Sequence, residues 1–131
     1  MNELLISAQQ KYQQAKMQTA SPSQLLLMLY DGAIRFVKAG IEGIEEHNIE
    51  KANTFFNKSQ AIIHELIASL DYKYELSTGL HQIYEYMLHQ LIQANVHKDE
   101  KAASEVLAHL REMRDAWEQA VRSQSRRAEY A

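Results

Sequence analysis

The stretch from Ser21 to Tyr30 reads Ser-Pro-Ser-Gln-Leu-Leu-Leu-Met-Leu-Tyr, and the fold prediction starts from it. Ser21 can cap a helix, Pro22 suits the first helical position, and Gln24 can reach back to the amide of the capping residue. The apolar run that follows is far shorter than the roughly 20 residues that a membrane span requires. The stretch therefore predicts the start of a soluble helix, which we expect to continue to about residue 46.

Three more helical segments follow along the chain. Apolar residues recur at steps of three and four over about 49–70, 78–97 and 100–124, with Asn48 and Ser77 as candidate caps of the first two. One Pro and four Gly in 131 residues leave few points at which a helix must break. Short connections make neighbouring helices antiparallel. We predict an all-α fold, an antiparallel up-down-up-down four-helix bundle over residues 21–125.

The two ends of the chain are predicted to differ from the bundle. Residues 1–20 are expected to form a flexible cap segment, extended or briefly helical, because their apolar side chains are too sparse for a core of their own. Such a segment could cover an exposed groove of the free protein. Residues 126–131 are expected to form a basic tail. The candidate cap residues are Leu4, Leu5, Ile6, Tyr12 and Met17.

Composition excludes several classes of function. The absence of cysteine excludes a disulfide framework, a thiolate metal site and a cysteine nucleophile. A net charge of −3 gives no electrostatic footprint for nucleic acid. The N-terminus lacks the basic and long apolar regions of a secretory signal. We therefore expect a cytoplasmic domain with neither nucleic-acid binding nor membrane insertion.

No local pattern predicts catalysis or a cofactor. His81, Glu85 and His89 share one face of a predicted helix, but the Glu-x-x-His pattern of metal-binding bundles is absent, so a solvated polar face is the better interpretation. The helical positions of Gly32, Gly40 and Gly43 suit helix packing and not a phosphate loop. We predict a binding protein without catalytic residues, metal ligands or cofactor.

Three separated stretches carry a resemblance to a known family. They are Thr19–Leu25 leading into Met28–Ala33, then Ile83-Tyr84-Glu85-Tyr86-Met87 continuing to Leu91, Ala94 and Asn95, and finally Glu105-Val106 followed by Asp115-Ala116-Trp117. In residues, order and spacing the chain resembles the FliS family of flagellin-specific export chaperones. Two positions depart from the pattern, since Met17 replaces the usual Val and Lys98-Asp99 stands where the family often has Asn-Asp.

The resemblance implies a four-helix bundle that binds the disordered C-terminal segment of flagellin. Such a protein keeps flagellin monomeric in the cytoplasm and delivers it to a component of the flagellar export gate, without a cofactor. We expect a monomer or a weak homodimer. Two alternatives remain: a helical adaptor for another secretion client or regulator, and a four-helix bundle that binds a metal or small ligand.

Candidate client contacts come from the resemblance and from helix geometry. Leu26 and Val37 lie off the main apolar stripe of their helix, so they are candidates for a groove wall. Tyr84 and Tyr86 point roughly 200° apart, so at least one of them should lie at a surface or groove. Roles within the bundle stay open for Tyr30, Asp31, Asn95 and Trp117. The full candidate set is Tyr12, Leu26, Tyr30, Asp31, Val37, Tyr84, Tyr86, Leu91, Asn95 and Trp117.

Overall fold

The chain forms four helices that pack in a ring. The computed structural model describes residues 10–11 and 20–130, and its helices are α1 (Pro22–Glu45), α2 (Ile49–Ala68), α3 (Leu76–His97) and α4 (Glu100–Tyr130). Each helix packs against the next, and α4 packs back against α1. Together with the short connections, these contacts define a four-helix bundle, and the predicted all-α fold is confirmed. None of the four helices is long and apolar enough to cross a membrane, as far as residues 10–11 and 20–130 are concerned.

The start of α1 is set by the capping box that the sequence predicted. The Ser21 hydroxyl accepts from the Gln24 amide at 3.2 Å, and the Gln24 side chain accepts from the Ser21 amide at 3.0 Å. Asn48 caps α2 in a similar way, because its side chain accepts from the Lys51 amide at 3.0 Å. These bonds satisfy amides that have no partner inside the helix, so both starts are fixed locally.

The start of α3 corrects the prediction. Ser77 is not its cap, since α3 already begins at Leu76 and the Ser77 hydroxyl instead donates to the backbone carbonyl of Asp71 at 2.5 Å. This bond ties the first turn of α3 to the preceding loop. At its other end α3 finishes at His97, and the following residue Lys98 adopts the left-handed conformation that often closes a helix (φ 50°).

The chain end corrects a second prediction. Residues 126–131 were expected to form a basic tail, yet α4 continues to Tyr130. No Pro or Gly interrupts the chain after Gly79, so nothing in the sequence stops this helix. The helix α2 is shorter than predicted, since it ends at Ala68 and not at about residue 70.

The closest approach in the bundle is between α1 and α2. A Cβ atom added to Gly43 would lie 2.6 Å from the Ala52 backbone nitrogen, and one added to Gly40 would lie 2.7 Å from the Phe56 ring. The glycines of α1 therefore serve helix packing, as their positions predicted. The side chains that fill the core of the bundle include Tyr30, Val37, Phe56, Ile63, Leu66, Tyr84, Met87, Leu91, Val106 and Leu110.

Candidate functional site

An apolar opening lies at the end of the bundle where α1 begins, and we name it the end groove. It encloses about 670 Å³ between the first turns of α1, the α2–α3 connection and the second half of α4. Six of its fourteen lining residues are leucine, and the hydroxyls of Ser69 and Ser77 both donate to backbone carbonyls. The lining residues are Pro22, Leu25, Leu26, Leu29, Ser69, Leu70, Asp71, Tyr74, Leu76, Ser77, Leu80, Tyr84, Trp117 and Gln124.

Three aromatic side chains are joined by hydrogen bonds beside the end groove. The hydroxyls of Tyr30 and Tyr84 lie 2.6 Å apart, and the Trp117 indole nitrogen donates to the Tyr30 hydroxyl at 3.3 Å. Burial, followed by the neighbouring Tyr84, raises the pKa of Tyr30 well above its ordinary value. Burial also raises the pKa of Tyr84. Both tyrosines therefore remain protonated, and the three side chains link α3, α1 and α4.

Three of the predicted client contacts border the end groove. Leu26 and Trp117 are half-buried in its wall, and Tyr84 also lines it, although its side chain is almost completely buried. Val37 and Leu91 are fully buried in the core, as is Tyr30. A client contact by these three residues would require the core to open, and their assigned role stays a prediction.

Asp31 lies on the surface beside the seam between α1 and α4. Its carboxylate accepts from Arg114 Nε at 2.9 Å, so it does not pair with the buried Tyr30 hydroxyl. This hydrogen bond raises the pKa of Arg114, whose guanidinium also contacts Glu118. Glu118 in turn accepts from Arg122 at 2.5 Å. Asp31 of α1 is thus the first member of a chain of ion pairs that continues through Arg114 and Glu118 of α4. Its role in client binding stays a prediction.

Asn95 lies at the opposite end of the bundle from the end groove. Its backbone and side-chain oxygens accept from Lys98 Nζ at 2.6 and 2.8 Å, and the same ammonium donates to Asn53 at 2.5 Å. Lys98 therefore connects the last turn of α3 to the first turns of α2. This supplies a structural reason for lysine at the position where the family pattern often has asparagine.

A second opening of about 440 Å³ lies between α3 and α4, and we name it the α3–α4 groove. Tyr86 lines it and is 47% exposed, and its hydroxyl donates to Glu105 at 2.5 Å. The hydrogen bond to Glu105 raises the pKa of Tyr86, and the same bond lowers the pKa of Glu105. The lining residues are Gln82, Ile83, Tyr86, Met87, His109, Glu112 and Met113.

Sequence reasoning missed several exposed apolar residues. Ile83 belongs to one of the stretches that carry the family resemblance but was not a candidate contact, and it is 44% exposed. Tyr74 and Leu76 fall in the α2–α3 connection and the first turn of α3, and both are largely exposed along the end groove. The only sequence signal for Tyr74 and Leu76 was their position between the predicted helices 49–70 and 78–97.

Two further sets of candidates are the histidines of α3, considered for a metal site, and the N-terminal cap residues. His81 contacts Tyr72 at 2.6 Å and Glu85 at 3.5 Å. Among the residues that the structure describes, no group of three or more His, Asp or Glu side chains is arranged to hold a metal ion. The proposed cap residues Leu4, Leu5, Ile6, Tyr12 and Met17 lie outside the described residues.

Comparisons with known proteins agree on one family. The family model described as "Flagellar protein FliS" matches residues 5–124. The "Flagellar secretion chaperone FliS" of Bacillus subtilis (strain 168) is 39% identical over 113 residues, covering 86% of this chain and 85% of the relative. That of Salmonella typhimurium (strain LT2) is 35% identical over 104 residues, covering 77% of each chain.

A solved structure supports the fold independently. The chain is similar to a protein described as "Crystal structure of flagellar chaperone from bacteria", with a TM-score of 0.74 at 19% identity. The match covers 90% of this chain and 98% of that one. At this level of identity the likeness establishes the four-helix architecture alone.

Proposed function

Since the chain belongs to the FliS family of flagellar secretion chaperones, we propose that it binds the disordered C-terminal segment of flagellin in the cytoplasm. Binding prevents premature polymerisation and assists delivery to a component of the flagellar type III export gate. The activity is binding without catalysis or a cofactor.

The observation that carries this proposal is the end groove. Its lining is rich in leucine, and Leu76 there is 62% exposed among the described residues. An amphipathic guest helix gains free energy by burying its apolar face in such a groove. A guest that folds on binding loses conformational entropy, so an extended interface is needed for firm binding. The α3–α4 groove offers a second apolar surface to a client that wraps around the bundle.

Calorimetric titration with flagellin from the same organism tests the proposal. We expect binding of full-length flagellin with a large negative heat-capacity change, and loss of binding when the C-terminal segment of flagellin is removed. Equal binding of the two forms would contradict the proposal, as would binding of neither.

A matched pair of variants on α3 tests the groove itself. Leu76→Ser removes an exposed apolar side chain from the end groove, whereas Val96→Ser removes one of similar exposure (67%) at the other end of the same helix. Loss of a buried leucine contact should weaken flagellin binding roughly tenfold in the first variant. The Val96 variant should bind like the unsubstituted chain. Equal effects in both would remove the end groove from the proposal.

We further propose that the cap segment, residues 1–20, covers the end groove until flagellin displaces it. Support comes from position, because Pro22 lines the groove and the segment joins α1 directly before it. A tethered segment has a high effective concentration at its site and limits aggregation through an exposed apolar patch. Deletion of residues 1–18 should increase binding of an apolar dye by the free protein. Unchanged dye binding together with unchanged flagellin affinity would rule out the cap.

The alternatives of another secretion client and of a metal-binding bundle make different predictions. An adaptor for another client or regulator would not require the C-terminal segment of flagellin in a pull-down. A metal-binding bundle would retain stoichiometric metal after purification, and elemental analysis would detect it. We expect a monomer or weak homodimer that captures full-length flagellin, fails to capture flagellin without its C-terminal segment, and carries no metal.

A further inference from the structure

A third opening, of about 390 Å³, lies at the end of the bundle opposite the end groove, and we name it the turn pocket. It lies between the α1–α2 turn and the residue that follows α3, and its lining includes Ile44, Ile49 and Lys98. Ile49 begins α2 and is 64% exposed, although isoleucine is among the residue types most often buried. The turn pocket therefore offers apolar surface at the other end of the bundle from the groove proposed for flagellin.

Hydrogen bonds fix the walls of the turn pocket. The Asn48 amide donates to the Gly43 carbonyl at 2.8 Å, which closes the turn from α1 to α2. The Lys98 ammonium donates to Asn53 at 2.5 Å and to the backbone oxygen of Asn95 at 2.6 Å, which ties the end of α3 to α2. A partner therefore meets a preformed pocket, and less conformational entropy is lost on binding than in a pocket that must first be ordered.

Acidic side chains are concentrated around the turn pocket. Residues 42–51 and 98–101 contain six carboxylates, all exposed, and three lysines, so this end carries a net charge of −3, equal to that of the whole chain. Glu45 and Glu46 lie at the carbonyl end of α1, where negative charge is unfavourable. Lys51 contacts Glu46 at 3.1 Å and offsets part of this charge. Further positive charge from a partner would be bound favourably here.

The pocket and its surroundings favour different groups of a partner. A cation inserted into the pocket would lose water and meet the Lys98 ammonium, so the inserted side chain should be apolar. Cations beside it would meet Glu45 and Glu50, each of which is exposed and next in the chain to a lining isoleucine. An amphipathic helix meets both conditions, because its apolar and charged side chains lie on separate faces. Charge complementarity of this kind also excludes acidic partners.

We propose that the turn pocket binds a basic amphipathic helix of a protein other than flagellin. One large apolar side chain of this helix inserts beside Ile49, and its Lys or Arg side chains pair with the surrounding carboxylates. Because the turn pocket and the end groove lie at opposite ends of the bundle, both partners can be bound at once. The inference goes beyond the proposed function and does not depend on it.

The test is an NMR titration of the full, isotope-labelled chain with two synthetic amphipathic peptides. Both contain leucine and alanine, and one carries lysine where the other carries glutamate. We expect the lysine peptide to bind and to shift the backbone signals of Gly43, Ile44 and Ile49, and the glutamate peptide to bind roughly tenfold more weakly or not at all. Equal binding of the two peptides, binding of neither, or shifts confined to the end groove would overturn the inference.

A matched pair of variants locates the apolar contact. Ile49→Ser removes the exposed isoleucine of the turn pocket, whereas Val96→Ser removes a similarly exposed aliphatic side chain at the same end of the bundle that does not line the pocket. Loss of the buried isoleucine contact should weaken binding of the lysine peptide roughly tenfold. The Val96 variant should bind within twofold of the unsubstituted chain. Equal losses in both variants would overturn the inference.

A second pair of variants tests the charge. Glu50→Gln should weaken binding of the lysine peptide roughly twofold to fivefold, the usual effect of one exposed ion pair. The difference should shrink at high salt, which screens exposed charges. Glu65→Gln is the control, because Glu65 is an exposed carboxylate near the other end of the same helix. Equal effects of the two substitutions would contradict the charge complementarity and overturn the inference.

A flagellin titration of Ile49→Ser separates this inference from the proposed function. We expect the variant to bind flagellin within twofold of the unsubstituted chain. A tenfold loss would show that the turn pocket belongs to the flagellin interface, and the inference of a separate partner would be overturned. If the unsubstituted chain binds no flagellin, the proposed function fails, whereas the outcome of the peptide titrations still decides the inference.

Discussion

The α1–α2 pair and the α3–α4 pair use opposite means to hold two helices together. α1 and α2 approach most closely, with glycines at positions where any side chain would meet Phe56 or the Ala52 backbone. α3 and α4 leave a groove of about 440 Å³ between them, and the hydrogen bond from Tyr86 to Glu105 bridges the two helices. The comparison teaches that glycines let two helices pack backbone against backbone, whereas large side chains at the α3–α4 seam leave apolar surface exposed between the helices.

The largest expected effect comes from opening the closed pair. In Gly43→Ala the new Cβ would lie 2.6 Å from the Ala52 nitrogen, so α1 and α2 must move apart. We expect the free energy of unfolding to fall by about 3 kcal/mol, within the range of overpacked cores. Urea denaturation followed by circular dichroism measures this change. A loss below about 0.5 kcal/mol, the range of ordinary surface substitutions, would show that the helices do not depend on this contact.

A smaller effect is expected from Tyr30, whose hydroxyl joins α1 to side chains of α3 and α4. Tyr30→Phe removes the hydroxyl that accepts from Trp117 and pairs with Tyr84, leaving two donors without that partner. We expect a loss of about 2 kcal/mol in unfolding free energy, because unsatisfied buried donors are unfavourable. Thermal and urea unfolding check the value. Trp117 fluorescence should change in parallel, and unchanged stability would mean that the hydrogen bonds contribute little.

The open pair should tolerate, and even gain from, a glycine substitution. No atom lies within 4 Å of a Cβ placed on Gly79, which is exposed in the first turns of α3. Gly79→Ala should therefore raise the free energy of unfolding by about 0.5–1 kcal/mol, since alanine is the better helix former. The same urea titration serves as the measurement. If Gly79→Ala lowered the free energy of unfolding, the contrast between the tightly packed α1–α2 pair and the open α3–α4 pair would be contradicted.

The smallest effect concerns the polar bridge across the open seam. The hydrogen bond from Tyr86 lowers the pKa of Glu105, so the contribution of this pair is present above the ordinary carboxyl value of 4.5 and is lost as pH falls through the lowered value. In Tyr86→Phe the stability should fall less on acidification from about pH 6 to about pH 3. Urea midpoints at the two pH values give the comparison. Tyr74→Phe is the control, and identical acid slopes in the two variants would exclude the bridge.

The sequence predicted those features whose causes are local. The capping box at Ser21 and Gln24 and the cap at Asn48 depend on residues three positions apart, and both were found as expected. The prediction at Ser77 was wrong because that hydroxyl bonds the carbonyl of Asp71, six residues away in a loop. No spacing rule for helix caps identifies such a partner.

The candidate site could be predicted only in part. The order of the motifs predicted the family, and Leu26 and Trp117 do border the end groove. Helix geometry required that Tyr84 and Tyr86 differ, yet it could not say which one is buried. The structure buries Tyr84 and exposes Tyr86, because Tyr84 faces Tyr30 across the bundle.

By itself the sequence determined the four helices, their antiparallel order and the family, because periodicity, capping and motif order are properties of neighbouring residues. Only the tertiary structure decided which apolar faces are closed and which remain grooves. Ile83 and Tyr84 are adjacent, yet one is exposed and the other buried. Burial depends on how near a second helix comes, and that distance is set by side chains far away in the chain, such as the glycines of α1.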